Sequence, residues 1–365
     1  LALLSFIGWM IAGAGVHQAL LIAAAVLIIT CPCALGLAVP AAQVVAASNL
    51  MKRGLLVKDG SALERLATAD AAAFDKTGTL TLGEPRPVSL DGLTPADKAL
   101  ALALAQASRH PLSRGLAQAL RDEGVEPAAL ADIREIAGEG MRASQDGAEV
   151  GLLRPQASLD DALAVELLQG GDRKRVLFTD PLRPDAAVAL RELARLGLPA
   201  TIISGDRPAS VGPVAATLGI PAQAGLAPAD KLAALDAMAA TGARVLMVGD
   251  GLNDGPALAA AHVSIAPGSA SDVSQQAADA VFIGEQLMPV AVAIDVARRT
   301  MRIVRENFFA AIIYNALAVP LAILGHVTPL VAAIAMSTSS LIVIANSLRL
   351  AVPSRVGRHL EGAPA

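Results

Sequence analysis

The sequence predicts a multidomain membrane protein in which transmembrane helical hairpins flank a doubly wound α/β domain. Hydrophobic residues make up 54% of the 365 residues and charged residues only 17%, whereas soluble domains have about 45–50% and about 25%. No Asp, Glu, Lys or Arg occurs in residues 1–51 or 307–348. Between these two segments, short apolar runs alternate with helical stretches, which is typical of a parallel sheet covered by helices.

The two uncharged segments predict the membrane hairpins, because about 20 apolar residues suffice for one helical span. Residues 1–14 are expected to be the end of one span. Full spans are predicted at 19–45, 308–324 and 330–348. Neither hairpin turn contains Lys or Arg, while basic residues flank the other ends of the hairpins. The positive-inside rule therefore places the middle region and the tail in the cytoplasm.

Length and charge restrict the remaining possibilities. The chain begins with Leu inside an apolar segment, so we expect it to be part of a longer protein. Two cysteines are too few for a disulfide scaffold. The net charge of −4 provides no overall basic field, so nucleic acid is not an expected partner.

Cys31-Pro32-Cys33 lies inside a predicted span. Pro32 has no N–H and clashes with the carbonyl of Ile28, so we expect the helix to open there. Two sulfur atoms beside such an opening suit a soft cation such as Cu(I), Zn(II) or Cd(II). The simpler alternative is that two small apolar residues flank a proline kink.

The second hairpin carries Tyr314, Asn315 and Met336 at membrane depth, where polar groups are costly and tend to face a partner or a pathway. For the hydroxyl side chains at 337–339 we favour helix–helix hydrogen bonding. The absence of charge from 307–348 fits a soft monovalent ion better than a hard divalent one.

In the α/β region, polar residues follow several predicted strands. These strands lie at 71–74, 200–203, 245–248, 263–265 and 280–283. Helical stretches such as 184–196 and 231–240 lie between them. Because the carboxyl ends of parallel strands meet at one edge of a sheet, the polar residues that follow them are expected to converge.

This convergence predicts phosphoryl-transfer chemistry. Asp75 is a candidate carboxylate nucleophile that forms an aspartyl phosphate. Asp250, with Asp75 and the Thr77 carbonyl, is expected to hold Mg²⁺. Lys231, Thr77 and Ser204 are expected to neutralise or hydrogen-bond the transferred phosphoryl group.

The sequence resembles the heavy-metal class of P-type ATPases, in its copper(I)-exporting subgroup. The matching motifs are Cys31-Pro32-Cys33, the phosphorylation motif at 75–81, His110-Pro111, the hinge motif at 249–256, Tyr314-Asn315, and the Met-x-x-Ser-Ser motif at 336–340. Residues 108–112 and 336–340 further resemble the branch linked to copper delivery for cytochrome oxidase assembly.

The resemblance implies a haloacid dehalogenase-like phosphorylation domain at 49–82 and 180–300, interrupted by an α+β nucleotide-binding insert at 83–179. The membrane hairpins are assigned to 1–48 and 301–348, and a cytoplasmic tail to 349–365. The implied nucleotide-binding residues are His110, Pro111, Gly138, Gly140 and Gly151. The implied catalytic residues are Asp75, Lys76, Thr77, Ser204, Gly205, Asp206, Lys231, Asp250, Asn253 and Asp254. The implied copper ligands are Cys31, Cys33, Tyr314, Asn315, Met336 and Ser340.

The function implied by the resemblance is ATP-driven export of Cu(I) across a bacterial inner membrane, with ATP and Mg²⁺ as cofactors. A copper chaperone or a thiol would donate the ion, and the lipid bilayer is the other expected partner. The family's actuator domain, with its Thr-Gly-Glu loop, has no counterpart in the sequence. We therefore expect this chain to accept phosphate without completing a transport cycle.

Three alternatives remain open from the residues. A Zn(II)- or Cd(II)-exporting ATPase shares Cys-Pro-Cys but is expected to carry a Lys and an Asp in the last two spans. A membrane-tethered phosphohydrolase would prefer an acid two residues after Asp75, where this chain has Thr77. A non-enzymatic protein would retain copper binding without phosphorylation.

Overall fold

The computed structural model describes residues 1–155, 163–250, 254–352 and 356. The helices are α1 (Ala2–Ile11), α2 (Val16–Ile29), α3 (Cys33–Met51), α4 (Gly60–Thr68), α5 (Pro95–Gln106), α6 (Pro111–Asp122), α7 (Ala186–Arg195), α8 (Pro208–Leu218), α9 (Pro228–Ala240), α10 (Gly255–Ala260), α11 (Asp272–Ala277), α12 (Met288–Ile323) and α13 (Pro329–Leu348). The strands are β1 (Leu55–Val57), β2 (Ala71–Phe74), β3 (Arg86–Pro87), β4 (Ala131–Ile136), β5 (Gly140–Gln145), β6 (Ala148–Leu153), β7 (Leu163–Gln169), β8 (Asp172–Thr179), β9 (Ala200–Ile203), β10 (Ala222–Gln223), β11 (Val245–Val248), β12 (Val263–Pro267) and β13 (Ala280–Phe282).

Three helical segments are long and apolar enough to cross a membrane: Val16–Met51, Met288–Ile323 and Pro329–Ala351. Small side chains allow the helices to pack closely, and Ala34 and Ala38 lie in one apolar cluster with Ala311 and Val343. These helices form the membrane part of the protein, and the α/β region lies on its cytoplasmic side.

One predicted span differs from the structure. The helix that contains residues 308–324 begins at Met288, inside the α/β region, and continues for 36 residues. No Gly interrupts it and its first internal proline is Pro320, so nothing in the local sequence ends it at the membrane surface. The predicted span 19–45 comprises two helices, because the helix is interrupted between Ile29 and Cys33, at the predicted opening beside Pro32.

A seven-stranded sheet has the order β1-β13-β12-β11-β2-β9-β10. All of its neighbouring pairs are parallel except β1–β13. The predicted doubly wound fold is confirmed. The antiparallel edge strand β1 was not predicted, since its three residues are too few to show a pattern. The inner strand β2 is fully buried, and its carboxyl end lies between those of β9 and β11.

A second, antiparallel sheet lies between β2 and β9 along the chain, with the order β3-β8-β7-β6-β5-β4. Helices α5 and α6 share one apolar core with this sheet, which includes Leu104, Leu116, Leu152 and Val176. Its strands cover much of the predicted nucleotide-binding insert.

Candidate functional site

Asp75 follows the last residue of β2 and is only 6% exposed. Its backbone N–H donates to the carbonyl of Val248 at 2.8 Å, which continues the parallel pairing of β2 with β11 by one residue. Sheet register thus holds the carboxylate beside the loop that follows β11. This is the edge where sites form in open α/β sheets.

Lys231 links two of the carboxylates at this edge. Its Nζ donates to Asp75 Oδ1 at 2.7 Å and to Asp254 Oδ1 at 2.6 Å, and the residue is 4% exposed. Although burial opposes it, the negative charges of Asp75 and Asp254 raise the pKa of Lys231. The ammonium group therefore stays charged and balances a buried anionic cluster.

Asp75, Asp250 and Asp254 place carboxylate oxygens within 4.8 Å of one another. Burial, followed by repulsion from Asp254, raises the pKa of Asp75 to about 6. Burial, followed by repulsion from Asp75 and Asp254, raises the pKa of Asp250 to about 7. Clustered carboxylates are the donor set that Mg²⁺ uses together with water and phosphate oxygens, so these residues fit the predicted ion. Asp254 joins the cluster although it was not among the predicted Mg²⁺ ligands.

The residues after Asp75 contact the loop that follows β9. Lys76 Nζ lies 2.7 Å from Asp206 Oδ2, and Thr77 Oγ1 donates to the same oxygen at 2.7 Å. Although burial opposes it, these two donors lower the pKa of Asp206. Ser204 is buried, and its hydroxyl accepts a hydrogen bond from the backbone N–H of Asp206 at 3.2 Å. The loop that holds Asp206, including Gly205, is thereby tied to the phosphorylation motif.

The predicted contacts of Thr77 and Ser204 with a phosphoryl group stay predictions. The Thr77 hydroxyl donates to Asp206, whereas the Ser204 hydroxyl only accepts a hydrogen bond and keeps its own proton to donate. Asn253, predicted as catalytic, lies outside the described residues.

A turn over Lys76–Leu80 carries the rest of the motif. Gly78 has φ +72°, and a side chain there would overlap the Asp250 carboxylate, so only glycine fits. Thr81 Oγ1 donates to Asp180 Oδ2 at 2.6 Å. Arg183 donates to backbone carbonyls of this turn. Neither Asp180 nor Arg183 was among the predicted site residues. The available signal was a carboxylate directly after β8, with an arginine three residues later.

Three of the five predicted nucleotide-binding residues lie around a cavity of about 1060 Å³ between the two sheets. His110, Gly138 and Gly140 line it from the insert, and Asp206 and Arg207 line it from the phosphorylation domain.

His110 also caps a helix, since its Nδ1 accepts from the backbone N–H of Leu112 at 3.3 Å. Pro111 and Gly151 are not among the residues that line the cavity. Pro111 is the first residue of α6. Gly151 lies within β6, where a side chain would meet the carbonyl of Met141.

The membrane helix breaks as predicted, because α2 ends at Ile29 and α3 begins at Cys33. The Cα atoms of Cys31 and Cys33 are 5.5 Å apart and their sulfur atoms are joined as a disulfide. Thiolates are the form of cysteine that binds metal, so the reduced pair is the form relevant to a cation.

The remaining predicted ligands lie on the neighbouring helices. Tyr314 and Asn315 belong to α12, and Met336 and Ser340 to α13. Both helices pack against α2 and α3. Tyr314 Oη and Asn315 Oδ1 are buried and have no hydrogen-bond partner among the described residues. Ser340 Oγ donates to its own helix at the carbonyl of Met336, at 3.3 Å.

The hydroxyl side chains at 337 and 338 were expected to make helix contacts instead of binding metal. Ser337 and Thr338 donate to the carbonyls of Ala333 and Ile334, each at 2.9 Å. These bonds lie within α13 and do not join it to a neighbouring helix, so the detail of that expectation is wrong.

Comparison with known proteins agrees with the site. The sequence model of the haloacid dehalogenase-like hydrolase family matches residues 69–262 of this chain. The nitrogen fixation protein FixI of Rhizobium leguminosarum bv. viciae is 50% identical over 363 residues, which cover 96% of this chain and 47% of the relative. The copper-transporting P-type ATPase of the same organism is 37% identical over 382 residues, which cover 96% of this chain and 45% of the relative.

Solved structures of P-type ATPases are also similar to this chain. A zinc-transporting PIB-type ATPase in the E2.Pi state matches with a TM-score of 0.76 and 32% sequence identity. The match covers 96% of this chain and 61% of the chain in that structure. The catalytic domain of the CPx-ATPase CopB-B matches with a TM-score of 0.56 and 27% sequence identity. The match covers 70% of this chain and 97% of the chain in that structure. The chain spans about half the length of the curated relatives it matches. It belongs to the haloacid dehalogenase-like hydrolase family and, within it, to the heavy-metal P-type ATPases.

Proposed function

We propose that the protein containing this chain transports Cu(I) out of the cytoplasm, driven by ATP through an aspartyl phosphate at Asp75. The observation that carries the proposal is the position of Asp75, buried at the end of β2 within hydrogen-bond distance of Lys231. A carboxylate nucleophile needs a cationic partner for the charge that develops during phosphoryl transfer. Lys231 is that partner in the described part of the chain.

The chemical step forms one bond and breaks one. A carboxylate oxygen of Asp75 attacks the γ-phosphorus of ATP, the bond to the bridging oxygen breaks, and ADP leaves with the electron pair. Mg²⁺ bound at Asp75, Asp250 and Asp254 would neutralise phosphate charge during this transfer. With its pKa raised to about 6, Asp75 is mostly ionised at neutral pH and ready to attack.

The cavity between the two sheets supports ATP as the phosphoryl donor. It extends from His110 on the insert to Asp206 on the phosphorylation domain, and Asp206 contacts Lys76 next to the nucleophile. A nucleotide held between those two ends would present its phosphates to the edge of the sheet where Asp75 lies.

The membrane residues support Cu(I) as the transported ion. Cys31, Cys33 and Met336 provide sulfur, which soft monovalent copper prefers. Tyr314 Oη and Asn315 Oδ1 are buried without a partner among the described residues, as expected for groups that await a ligand. The spans at 307–348 contain no charge to balance a divalent ion. We further propose that a copper chaperone or a thiol delivers the ion.

Phosphorylation tests the proposal. The protein as its gene encodes it, in membrane vesicles, is treated with radiolabelled ATP and Mg²⁺, with Cu(I) under reducing conditions or with Zn(II). We expect a hydroxylamine-sensitive label that Cu(I) increases. Asp75→Asn should abolish the label, while Asp236→Asn, on an exposed face of α9, should retain it. Cys31→Ser should retain ATP binding and lose the response to Cu(I).

Each competing function predicts a different result. Stimulation by Zn(II) without stimulation by Cu(I) would identify a zinc exporter, which a zinc-transporting structural neighbour keeps as the second candidate. Hydrolysis of small phosphate esters without any metal response would identify a phosphohydrolase. Copper binding without a phosphorylated protein would identify a non-enzymatic copper-binding protein.

A further inference from the structure

Arg183 contacts the backbone of the phosphorylation motif and is only 3% exposed. Its Nε donates to the carbonyl of Thr79 at 2.7 Å, and its Nη2 to the carbonyl of Gly78 at 2.8 Å. Its Nη1 donates to the carbonyl of Gly284 at 3.0 Å. One planar, rigid donor group therefore holds two segments that are distant in sequence.

The second of these segments begins the long membrane helix. Gly284 lies between β13 and α12. Asp185, two residues after Arg183, accepts hydrogen bonds from the backbone N–H groups of Leu287 and Met288, at 2.8 and 2.7 Å. Arg183 and Asp185 thus hold the start of α12 at two points. From there α12 continues without a break to the predicted metal ligands.

The first segment is in contact with the anionic cluster. There is no room for a side chain between Gly78 and the carboxylate of Asp250. A shift of Asp250 toward the turn when a phosphoryl group or a cation arrives would therefore push on Gly78. The carbonyl of Gly78 is held by Arg183, so the displacement is passed to the guanidinium group.

We propose that Arg183 is a positioning residue that couples the phosphorylation site to α12. It would transmit rearrangement at Asp75 and Asp250 to the helix that carries Tyr314 and Asn315. It would also transmit movement of that helix back to the phosphorylation site. The inference rests on the proposed function, because it concerns how metal occupancy and phosphorylation influence each other. Lysine at this position would keep the positive charge but would lose the three donors in fixed directions.

The test compares phosphorylation with and without metal in the protein as its gene encodes it. The label from ATP is measured in vesicles with Cu(I) and with copper chelated, for the wild type, R183K and the control R195K. Arg195 lies on the exposed surface of α7, where it pairs with Glu192. Since couplings between sites are commonly about 5–150-fold, we expect R183K to lower the ratio of the two labels about fivefold or more. Its KM for ATP and the ratio in R195K should stay unchanged.

A purely structural role predicts something else. If R183K lowers the label equally with and without Cu(I), or leaves the ratio intact, the inference is overturned. If R183K does not fold, D185N serves as the test variant, because it weakens the contacts that hold α12 and leaves the hydrogen bonds of Arg183 in place. An unchanged ratio of the labels with and without Cu(I) in D185N would overturn the inference. A wild-type protein without any metal-dependent label would instead overturn the proposed function.

Discussion

Replacing Asp250 with Asn is expected to stabilise the metal-free protein at pH 8, although Asp250 belongs to the candidate site. Its carboxylate lies in a cluster with Asp75 and Asp254, with oxygens within 4.8 Å of one another, and Lys231 contacts only the other two by hydrogen bonds. Asp250 has no direct ion pair among the described residues, so its ionised carboxylate adds repulsion that the charge of Arg183 offsets only in part. Asn has nearly the same shape and carries no charge.

The magnitude follows from the pKa. Burial and the two neighbouring carboxylates raise the pKa of Asp250 from 3.8 to about 7. At about 1.36 kcal/mol per pKa unit this difference corresponds to about 4 kcal/mol. Because Asp250 retains partial contact with solvent, we expect about 2–4 kcal/mol. The folded state binds the proton more tightly than the unfolded state, so stability falls as the pH rises from 3.8 to about 7.

Thermal unfolding of the detergent-solubilised protein measures the effect between pH 5 and pH 8. With roughly 2–4 °C per kcal/mol for a unit of 150–250 residues, D250N should raise Tm at pH 8 by roughly 4–16 °C. The gain should shrink toward pH 5. Mg²⁺ should raise the Tm of the wild type, because a ligand that binds the folded state stabilises it, and should have little effect on D250N.

Asp236→Asn, on an exposed face of α9, is the matched control and should change Tm little at any pH. A Tm of D250N at pH 8 that equals or falls below that of the wild type would refute the reasoning. A gain of equal size at pH 5 and pH 8 would also refute it, since the cause would not be ionisation.

Three further predictions concern the same site. Gly78→Ala would overlap the Asp250 carboxylate at a left-handed φ of +72°, so we expect phosphorylation from ATP to fall roughly 100-fold through misplacement of reacting groups. Lys231→Met leaves Asp75 buried without its partner at 2.7 Å and should lower stability by about 3–5 kcal/mol in thermal or chemical unfolding at pH 8. Arg207→Ala removes a guanidinium group from the cavity wall. Since a charged hydrogen bond contributes about 1.5–3 kcal/mol, it should raise the KM for ATP roughly tenfold or more.

Each of these has its own control or counter-result. Gly92 is exposed and has open space around it, so Gly92→Ala should be phosphorylated normally, and equal activity in Gly78→Ala would contradict the steric argument. Lys231→Met with wild-type stability would mean that the ion pair only compensates for its own desolvation. An unchanged KM for ATP in Arg207→Ala would place the phosphates away from that wall.

Much of the architecture was predictable because it depends on local patterns. The uncharged segments, the strands β2, β9 and β11 and the helix break at Pro32 each follow from runs of neighbouring residues. Asp75 was predictable because the residue that ends a buried strand lies at the edge of the sheet.

Other features were not predictable from such patterns. The predicted span began at residue 308, where the sequence changes from charged to apolar. A change in polarity does not end a helix, so the prediction missed that α12 continues through the membrane surface. The helix-capping bond of His110 is compatible with the sequence but is not specified by it, since the same dipeptide suits a ligand or a cap.

The sequence by itself determined the order of membrane and α/β segments and the prediction of Asp75 as the nucleophile, since these depend on hydropathy, spacing and motif. Only the tertiary structure decided which side chains meet. Lys231 and Asp254 reach Asp75, and Arg183 joins the phosphorylation turn to α12. The physical reason is that sheet order brings together strand ends that are far apart along the chain. Contacts across them depend on three-dimensional packing, which local sequence periodicity does not encode.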